Sequence, residues 1–151
     1  MSKHAIRRAG VEDAAEVARL LHDFNSEFDT LTPGVADLTV RMRQLLDTGE
    51  ATVLLGGQRV DAIAVLRFRP SLWVNAPDAY LEELYVAPDC RGEGLGRAIL
   101  EAALDLAREL GAGRIELATS EDDTAARGLY DSSGFSNLED GAPMLWYERE
   151  L

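Results

Sequence analysis

The chain has 151 residues, a length typical of one domain with a sizeable core, and its 46% hydrophobic content is ordinary for a globular protein. Its 15 Lys and Arg against 27 Asp and Glu give a net charge of −12, which disfavours a nucleic acid partner and fits either a cationic substrate or simple solubility. No segment approaches the roughly 20 apolar residues of a membrane span, so we expect a cytoplasmic protein without a membrane partner.

The predicted elements follow one another without linkers, repeats or low-complexity segments. Apolar residues at helical spacing predict helices, and short apolar runs bounded by Gly or Pro predict strands. The predicted strands are 5–9, 51–55, 61–68, 79–86, 114–118 and 144–148, and a short strand near 135–138 is left open. The predicted helices are 11–24, 35–49, 95–110 with Gly111 as its C-cap, and 122–133. This order predicts an α/β (α+β) fold, with a mixed central β-sheet flanked by helices on both faces, in a single domain of residues 1–151.

Three glycines at alternate positions lie between the strand that ends at Val86 and the helix that follows. Glycines leave backbone N–H groups unshielded, and the positive end of the helix dipole points back at them. We therefore expect a cradle for an anion such as a pyrophosphate. Its residues are Arg91, Gly92, Glu93, Gly94, Leu95 and Gly96. Cys90 beside it is the one cysteine, which excludes an intrachain disulfide and leaves no metal set.

Two other phosphate motifs fit this loop less well. A P-loop needs Gly-Lys-Ser/Thr, whereas Gly96 is followed by Arg97 and Ala98, so a nucleoside triphosphate site is disfavoured. A dinucleotide site needs Gly-x-Gly-x-x-Gly directly after a strand, with an acidic residue about 20 positions further on. Glu116 is near that distance, but residues 87–91 separate the strand from the glycines. Nicotinamide binding is therefore the weaker alternative.

Two motifs resemble the GCN5-related N-acetyltransferase (GNAT) superfamily. Residues 91–96 resemble its acyl-coenzyme A signature, which is Arg or Gln, two variable residues, Gly, one variable residue, then Gly or Ala. Residues 126–135 contain Leu-Tyr-x-x-x-Gly-Phe, which resembles a second block of the family at the expected distance downstream. The resemblance spans nearly the whole chain. It implies the GNAT fold and an acetyltransferase that uses acetyl-CoA as acetyl donor and no metal.

The resemblance implies direct transfer of the acetyl group to a primary amine. This reaction needs a neutral nitrogen, a stabilised oxyanion and a proton for the departing thiolate. Tyr130 occupies the tyrosine of the second block, and its phenol, with an ordinary pKa of about 10, can donate that proton. The alternative is that Tyr130 only packs under the last strand.

Glu82 is the expected general base. Glu82 and Glu83 are adjacent in one strand, and period-two alternation puts them on opposite faces, so only one can face the acceptor. Resemblance to polyamine and glucosamine acetyltransferases, which carry an acidic residue four positions before Val86, selects Glu82. The alternative is an ion pair of Glu82 with Arg67 or Arg69, since a bulge can change the face of a strand.

The resemblance also implies which groups hold the coenzyme. Backbone groups of the strand are expected to bind the oxyanion and the pantetheine arm, and the glycine loop with Arg97 is expected to bind the pyrophosphate. Asp123 stands where related sequences often have an asparagine that bonds the pantetheine arm, although an Asp can also simply cap the following helix. The strand residues are Leu84, Tyr85 and Val86.

The segment that joins the first two helices lines the acceptor site in similar proteins. Here it contains Phe24, Glu27, Phe28 and Asp29, whose two acids beside two phenylalanines could hold an ammonium next to an apolar body. Trp73, in the loop between the prolines at 70 and 77, is a candidate second wall. The alternative is that the phenylalanines continue the core stripe of the helix and the acids are solvated.

The expected acceptor is a small cationic amine, such as a polyamine or an aminoglycoside, and a protein amine remains open. The competing function is a non-catalytic acyl-CoA sensor, which would have no use for Glu82 and Tyr130 together. Dimers are common in the family, so a homodimer is left open. The sequence does not identify the acceptor.

Overall fold

The computed structural model describes residues 4–151, so residues 1–3 of the expected domain lie outside the described residues. The chain divides into two compact units, one that ends at Glu116 and one that begins at Leu117. Within the described residues, the first unit contains a five-stranded sheet and three α-helices, and the second contains one α-helix and a short hairpin. No described helix is both long enough and apolar enough to span a bilayer.

The first unit is built on a mixed sheet. Its strands are β1 (Ile6–Arg8), β2 (Thr52–Gly56), β3 (Ala62–Pro70), β4 (Pro77–Val86) and β5 (Arg114–Glu116). Its helices are α1 (Ala14–Glu27), α2 (Val35–Thr48) and α3 (Leu95–Glu109). The strands lie in the order β1-β2-β3-β4-β5, with β4 and β5 parallel and the other neighbours antiparallel. The expected mixed sheet is confirmed.

Helices cover both faces of this sheet. Side chains of a strand alternate between its faces, and every residue of β2 is buried, so both faces of β2 must be covered. Val53 and Leu55 pack in one cluster with residues of α1 and α2. On the other face, Leu95 and Ile99 of α3 lie close to Gly56. The expected flanking of the sheet by helices is therefore confirmed.

Helix α3 ends at a glycine, as the sequence predicts. Gly111 has a φ of 86°, which lies in the left-handed region that favours glycine. Its N–H donates to the carbonyl of Arg108 over 3.0 Å, and the N–H of Ala112 donates to the carbonyl of Ala107 over 2.9 Å. These two bonds form a Schellman motif, which satisfies carbonyls that the helix leaves unpaired at its end.

The pairing of β3 with β4 contains a β-bulge. Val65 pairs with Glu83, whereas the next residue, Leu66, pairs with Leu81, so Glu82 has no cross-strand partner in this register. A bulge interrupts the regular alternation of faces along a strand. In this protein the interruption falls on the two adjacent carboxylates of β4.

The second unit contains α4 (Thr124–Ser132) and two short paired strands, β6 (Leu138–Glu139) and β7 (Ala142–Pro143). Asp140 and Gly141 connect the two strands, with φ values of 51° and 82°. Two successive residues with positive φ form the type I′ turn, for which Asp-Gly is a preferred sequence. The short strand that the sequence leaves open near 135–138 overlaps β6 at Leu138 only.

The prediction of a strand at 144–148 is wrong, because within the described residues this segment forms none. The hairpin ladder extends one step past β7, where the N–H of Met144 donates to the carbonyl of Asn137 over 2.7 Å. Before Asn137 the partner segment is no longer available, because the N–H of Phe135 donates to the carbonyl of Tyr130. An apolar run makes a strand only where a neighbouring strand can pair with it.

Candidate active site

The glycine-rich loop forms the beginning of α3. Gly92 and Gly94 have φ values of 78° and 86°, so the backbone conformation favours glycine at both positions. A Cβ at Gly92 would meet no atom within 4 Å, so the space beside this residue is open. The first N–H groups of a helix have no intrahelical partner and suit an anion. The residues present therefore fit the expected pyrophosphate cradle, whose role stays a prediction.

Arg91, at the start of this loop, is ion-paired with Glu27 at the end of α1. Its Nη2 lies 2.8 Å from Oε1 and 2.9 Å from Oε2 of the carboxylate. Its Nε donates to the carbonyl of Val86, the last residue of β4, over 2.9 Å. The side chains of Arg91 and Glu27 are 45% and 27% exposed. Arg91 thus connects the glycine loop to both α1 and β4.

Aromatic rings pack around this ion pair. The guanidinium carbon of Arg91 lies 5.6 Å from the ring centroid of Tyr85, whose hydroxyl donates to Glu27 over 3.4 Å. Burial raises the pKa of the Tyr85 phenol, and the charge of Glu27 adds to the effect. The Phe24 ring lies 5.0 Å from that of Tyr85 and 5.4 Å from that of Phe28. We call these five residues the Glu27–Arg91 cluster. It joins residues expected at the acceptor to residues expected at the coenzyme.

Asp29 and Trp73 lie outside this cluster. Asp29 is exposed and has a φ of 54°, just beyond the end of α1. Trp73 is 87% exposed in the connection that precedes Pro77. Tyr85 is eight residues beyond Pro77 in the same strand, which is about 26 Å at roughly 3.3 Å per residue. The structure therefore does not bring Trp73 to the acceptor residues of α1 as a second wall.

A cavity of about 180 Å³ lies between α1, α2 and the bulged pair of β3 and β4. We call it the acidic cavity because two carboxylates of β4 line it. Its apolar lining is Leu21, Pro33, Leu38, Met42, Leu45, Ala51 and Val65, and its polar lining is Asn25, Thr32, Arg67, Glu82 and Glu83. Among residues 4–151, no three His, Cys, Asp or Glu side chains lie close enough together to hold a metal ion.

The two carboxylates of the acidic cavity have different surroundings. Glu82 pairs with Arg67 over 3.1 Å, and both side chains are more than a third exposed. This ion pair is the alternative that the sequence left open. Within residues 4–151, the carboxylate of Glu83 forms no ion pair and accepts no hydrogen bond. Burial raises the pKa of Glu83, and the neighbouring charge of Glu82 raises it further.

The expectation that Glu82 and Glu83 face opposite ways is wrong, because both line the same cavity. The physical reason is the bulge, since alternation of faces holds only in a regular ladder. Sequence reasoning therefore missed Glu83 as a candidate base. The signal that could have found it is the pair of adjacent carboxylates, because two such groups in one site drive their pKa values apart.

In the second unit, the Leu-Tyr-x-x-x-Gly-Phe block forms the end of α4. Gly134 has a φ of 89°, and its N–H donates to the carbonyl of Asp131. The N–H of Phe135 donates to the carbonyl of Tyr130, and the two rings meet edge to face at 5.7 Å. This is a Schellman motif with its hydrophobic contact, which explains the spacing of the three motif residues physically. The role of the Tyr130 hydroxyl stays a prediction.

Asp123 caps the other end of α4. Its Oδ1 accepts a hydrogen bond from the N–H of Ala126 over 3.0 Å. This N-cap bond is the alternative that the sequence left open, and it occupies one carboxylate oxygen of Asp123. A role of Asp123 towards the pantetheine arm stays a prediction.

The fold and these residues define a class of protein. A glycine-rich loop that opens a helix is the arrangement that the resemblance leads us to expect of an acyltransferase that uses a coenzyme A thioester. The model of the Acetyltransferase (GNAT) family matches residues 17–135, which reach into both units. The chain belongs to the GNAT family, as its two motifs predict, and it is an acyltransferase enzyme.

Related proteins support the assignment to this family. A crystal structure from Arthrobacter sp. FB24, of a protein assigned as an acetyltransferase, has a TM-score of 0.91 and 46% identity, and the match covers 97% of this chain and 96% of that one. The uncharacterised N-acetyltransferase YhfO of Bacillus subtilis strain 168 is 29% identical over 132 residues, which are 86% of this chain and 88% of YhfO. Mycothiol acetyltransferase of Beutenbergia cavernae is 44% identical over 69 residues, which are 44% of this chain and only 23% of that protein.

Proposed function

We propose that the protein transfers the acetyl group of acetyl-CoA to the primary amine of a small cationic compound. The observation that carries this proposal is Glu83, a carboxylate without an ion pair among the described residues, whose pKa is raised and which lines a cavity on the strand that leads into the glycine loop. A raised pKa suits a general base, because it brings the carboxylate closer to the pH at which it must accept a proton.

The residues of the chain take the following parts. Acetyl-CoA supplies the acetyl thioester. Glu83 accepts a proton from the ammonium of the acceptor, directly or through water, and leaves a neutral nitrogen. As the bond from this nitrogen to the acetyl carbon forms and the carbon–sulfur bond breaks, Tyr130 donates its phenolic proton to the departing sulfur. The second proton that the nitrogen loses restores the phenol, so the protons balance.

In this proposal, backbone groups bind the coenzyme and the oxyanion. The main chain at Leu84 and Tyr85 binds the pantetheine arm and the oxyanion, and the N–H groups at the start of α3 hold the pyrophosphate. The side chain of Arg91 is engaged with Glu27 and with the carbonyl of Val86, so in this proposal it does not bind the pyrophosphate itself. Neither Glu82, which is paired with Arg67, nor Glu27 is required as the base.

The proposed reaction is tested by thiol release from acetyl-CoA in the presence of a panel of primary amines, with calorimetric titration of acetyl-CoA alongside. Amine-dependent release is the expected result, and Tyr130→Phe is expected to lower turnover more than tenfold with little change in coenzyme affinity. Coenzyme binding without release from any amine would contradict transfer and favour a sensor. An unchanged turnover in Tyr130→Phe would remove Tyr130 from the mechanism.

The pH profile of kcat/KM shows which of the two carboxylates, Glu82 or Glu83, is the general base. Glu83→Gln is expected to remove the acidic limb, because the base is then absent. The matched variant Glu82→Gln is expected to keep that limb but move it to lower pH, because the charge of Glu82 raises the pKa of Glu83. If Glu82→Gln removes the limb and Glu83→Gln keeps it, Glu82 is the base and the assignment of Glu83 fails.

A further inference from the structure

The charges that line the acidic cavity do not cancel. Arg67 is paired with Glu82, which leaves Glu83 as the one lining carboxylate that has no cationic partner among the described residues. Glu27, which was expected to hold an ammonium, is instead bound by Arg91. The cavity therefore offers a single uncompensated negative charge, which complements one ammonium and no more.

The rest of the cavity lining is mostly apolar. Leu38, Met42 and Leu45 line it from α2, and Val65 lines it from β3. Met42 and Val65 are each only 4% exposed, so this part of the lining belongs to the core. An apolar cavity of about 150 Å³ is large enough to bind benzene, so a cavity of about 180 Å³ has room for a body of about six non-hydrogen atoms. An ammonium buried against such a lining without a partner carries a large desolvation cost.

We propose that the acceptor is a monoamine with a compact apolar body of about six non-hydrogen atoms, whose nitrogen lies at Glu83 and whose body fills the acidic cavity. This inference rests on the proposed acetyl transfer and narrows its acceptor class. Polyamines and aminoglycosides are disfavoured, because each carries further ammonium groups for which the cavity has no carboxylate. The apolar lining from α2 then determines which amines react.

The inference is tested with a matched pair of acceptors, hexylamine and 1,6-diaminohexane. The two have the same chain length and differ only by a second ammonium at the end that enters the apolar part of the cavity. We expect kcat/KM per amine group to be at least tenfold higher for hexylamine. In the series from propylamine to hexylamine, kcat/KM should rise about fourfold for each methylene group that is buried, and it should stop rising once the cavity is full.

A variant of the lining gives a second, independent measurement. Leu38 lines the cavity from α2 and is half-buried, so a polar residue there need not disrupt the core. Leu38→Glu supplies a second carboxylate and is expected to raise the ratio of diaminohexane to hexylamine activity at least tenfold. Leu38→Gln is the matched control, since it has the same shape without the charge. Far-UV circular dichroism and the thermal midpoint show whether both variants are folded.

The possible results test the acceptor class and the acetyl transfer separately. Preference for hexylamine together with a reversal in Leu38→Glu supports the inference. Preference of the unchanged protein for 1,6-diaminohexane, spermidine or kanamycin would overturn the inference and leave acetyl transfer standing. Absence of amine-dependent thiol release with every one of these acceptors, although acetyl-CoA binds, would overturn both.

Discussion

The ion pair between Glu27 and Arg91 is expected to be coupled energetically, and a double-mutant cycle measures this coupling. The variants are Glu27→Gln, Arg91→Gln and the combination of both. Each single variant removes one charge and leaves the other partner in place. The non-additive part of the change in unfolding free energy then isolates the pair.

The structure sets the expected magnitude of this coupling. Exposed ion pairs are worth about 0.2–1 kcal/mol, while hydrogen bonds to charged groups reach about 1.5–3 kcal/mol when they are well shielded. Both oxygens of Glu27 contact the same nitrogen of Arg91, Nη2, at 2.8 and 2.9 Å. Since Arg91 is 45% exposed, solvent screens it, and we expect a coupling of about 1 kcal/mol.

The assay is urea unfolding at pH 7 followed by far-UV circular dichroism, with equal m-values required across the cycle. The pair of Arg19 and Asp23 is the control, because it joins two exposed side chains of α1 at 3.5 Å. For this control we expect a coupling of about 0.3 kcal/mol. A coupling for Glu27 and Arg91 that is no larger than the control would refute the view that this ion pair ties α1 to the glycine loop.

Two further predictions concern stability. Arg7 bonds both carboxylate oxygens of Asp13, whose pKa is lowered from 3.8 to about 2. Asp13→Asn should therefore cost about 1 kcal/mol in unfolding free energy at pH 7. The difference from the unchanged protein should disappear as pH falls from about 4 to about 2, because a lowered pKa stabilises the folded state only while the group is ionised. A difference in unfolding free energy that does not depend on pH would contradict this. In the second unit, Gly134→Ala should cost about 1 kcal/mol because its φ is 89°, whereas Gly128→Ala, inside α4 with open space around it, should stabilise by about 0.5–1 kcal/mol. Thermal unfolding measures both alanine variants, and shifts of the same sign would contradict the backbone argument.

The parts of the fold that local chemistry controls could be predicted from the sequence. Gly111 ends α3 because a left-handed residue there completes two hydrogen bonds, and this depends only on neighbouring residues. The second and third helices, α2 and α3, likewise follow from apolar stripes at helical spacing. The turn at Asp140 and Gly141 also follows from local chemistry, since Asp-Gly is a hairpin sequence.

The parts that depend on distant residues could not be predicted in the same way. Whether Glu82 and Glu83 share a face depends on the register between β3 and β4, which neither strand reveals alone. Arg91 was expected near the coenzyme because of its motif, but its partner Glu27 lies 64 residues earlier in the chain. Tertiary packing decides which partner such a side chain contacts. A motif therefore predicts the position of the backbone better than the ion pair that the side chain forms.

The glycines and the arginine of the glycine signature have different structural roles. Gly92 and Gly94 adopt left-handed φ values before α3, and the space beside Gly92 is open. Arg91, the first residue of the signature, instead binds the carbonyl at the end of β4 and the carboxylate at the end of α1. The motif therefore has two roles, one that depends only on neighbouring residues and one that depends on residues distant in the sequence. Its glycines shape the anion cradle locally, and its arginine holds that cradle against the helix beside the acceptor, so the loop and α1 are connected before any substrate binds.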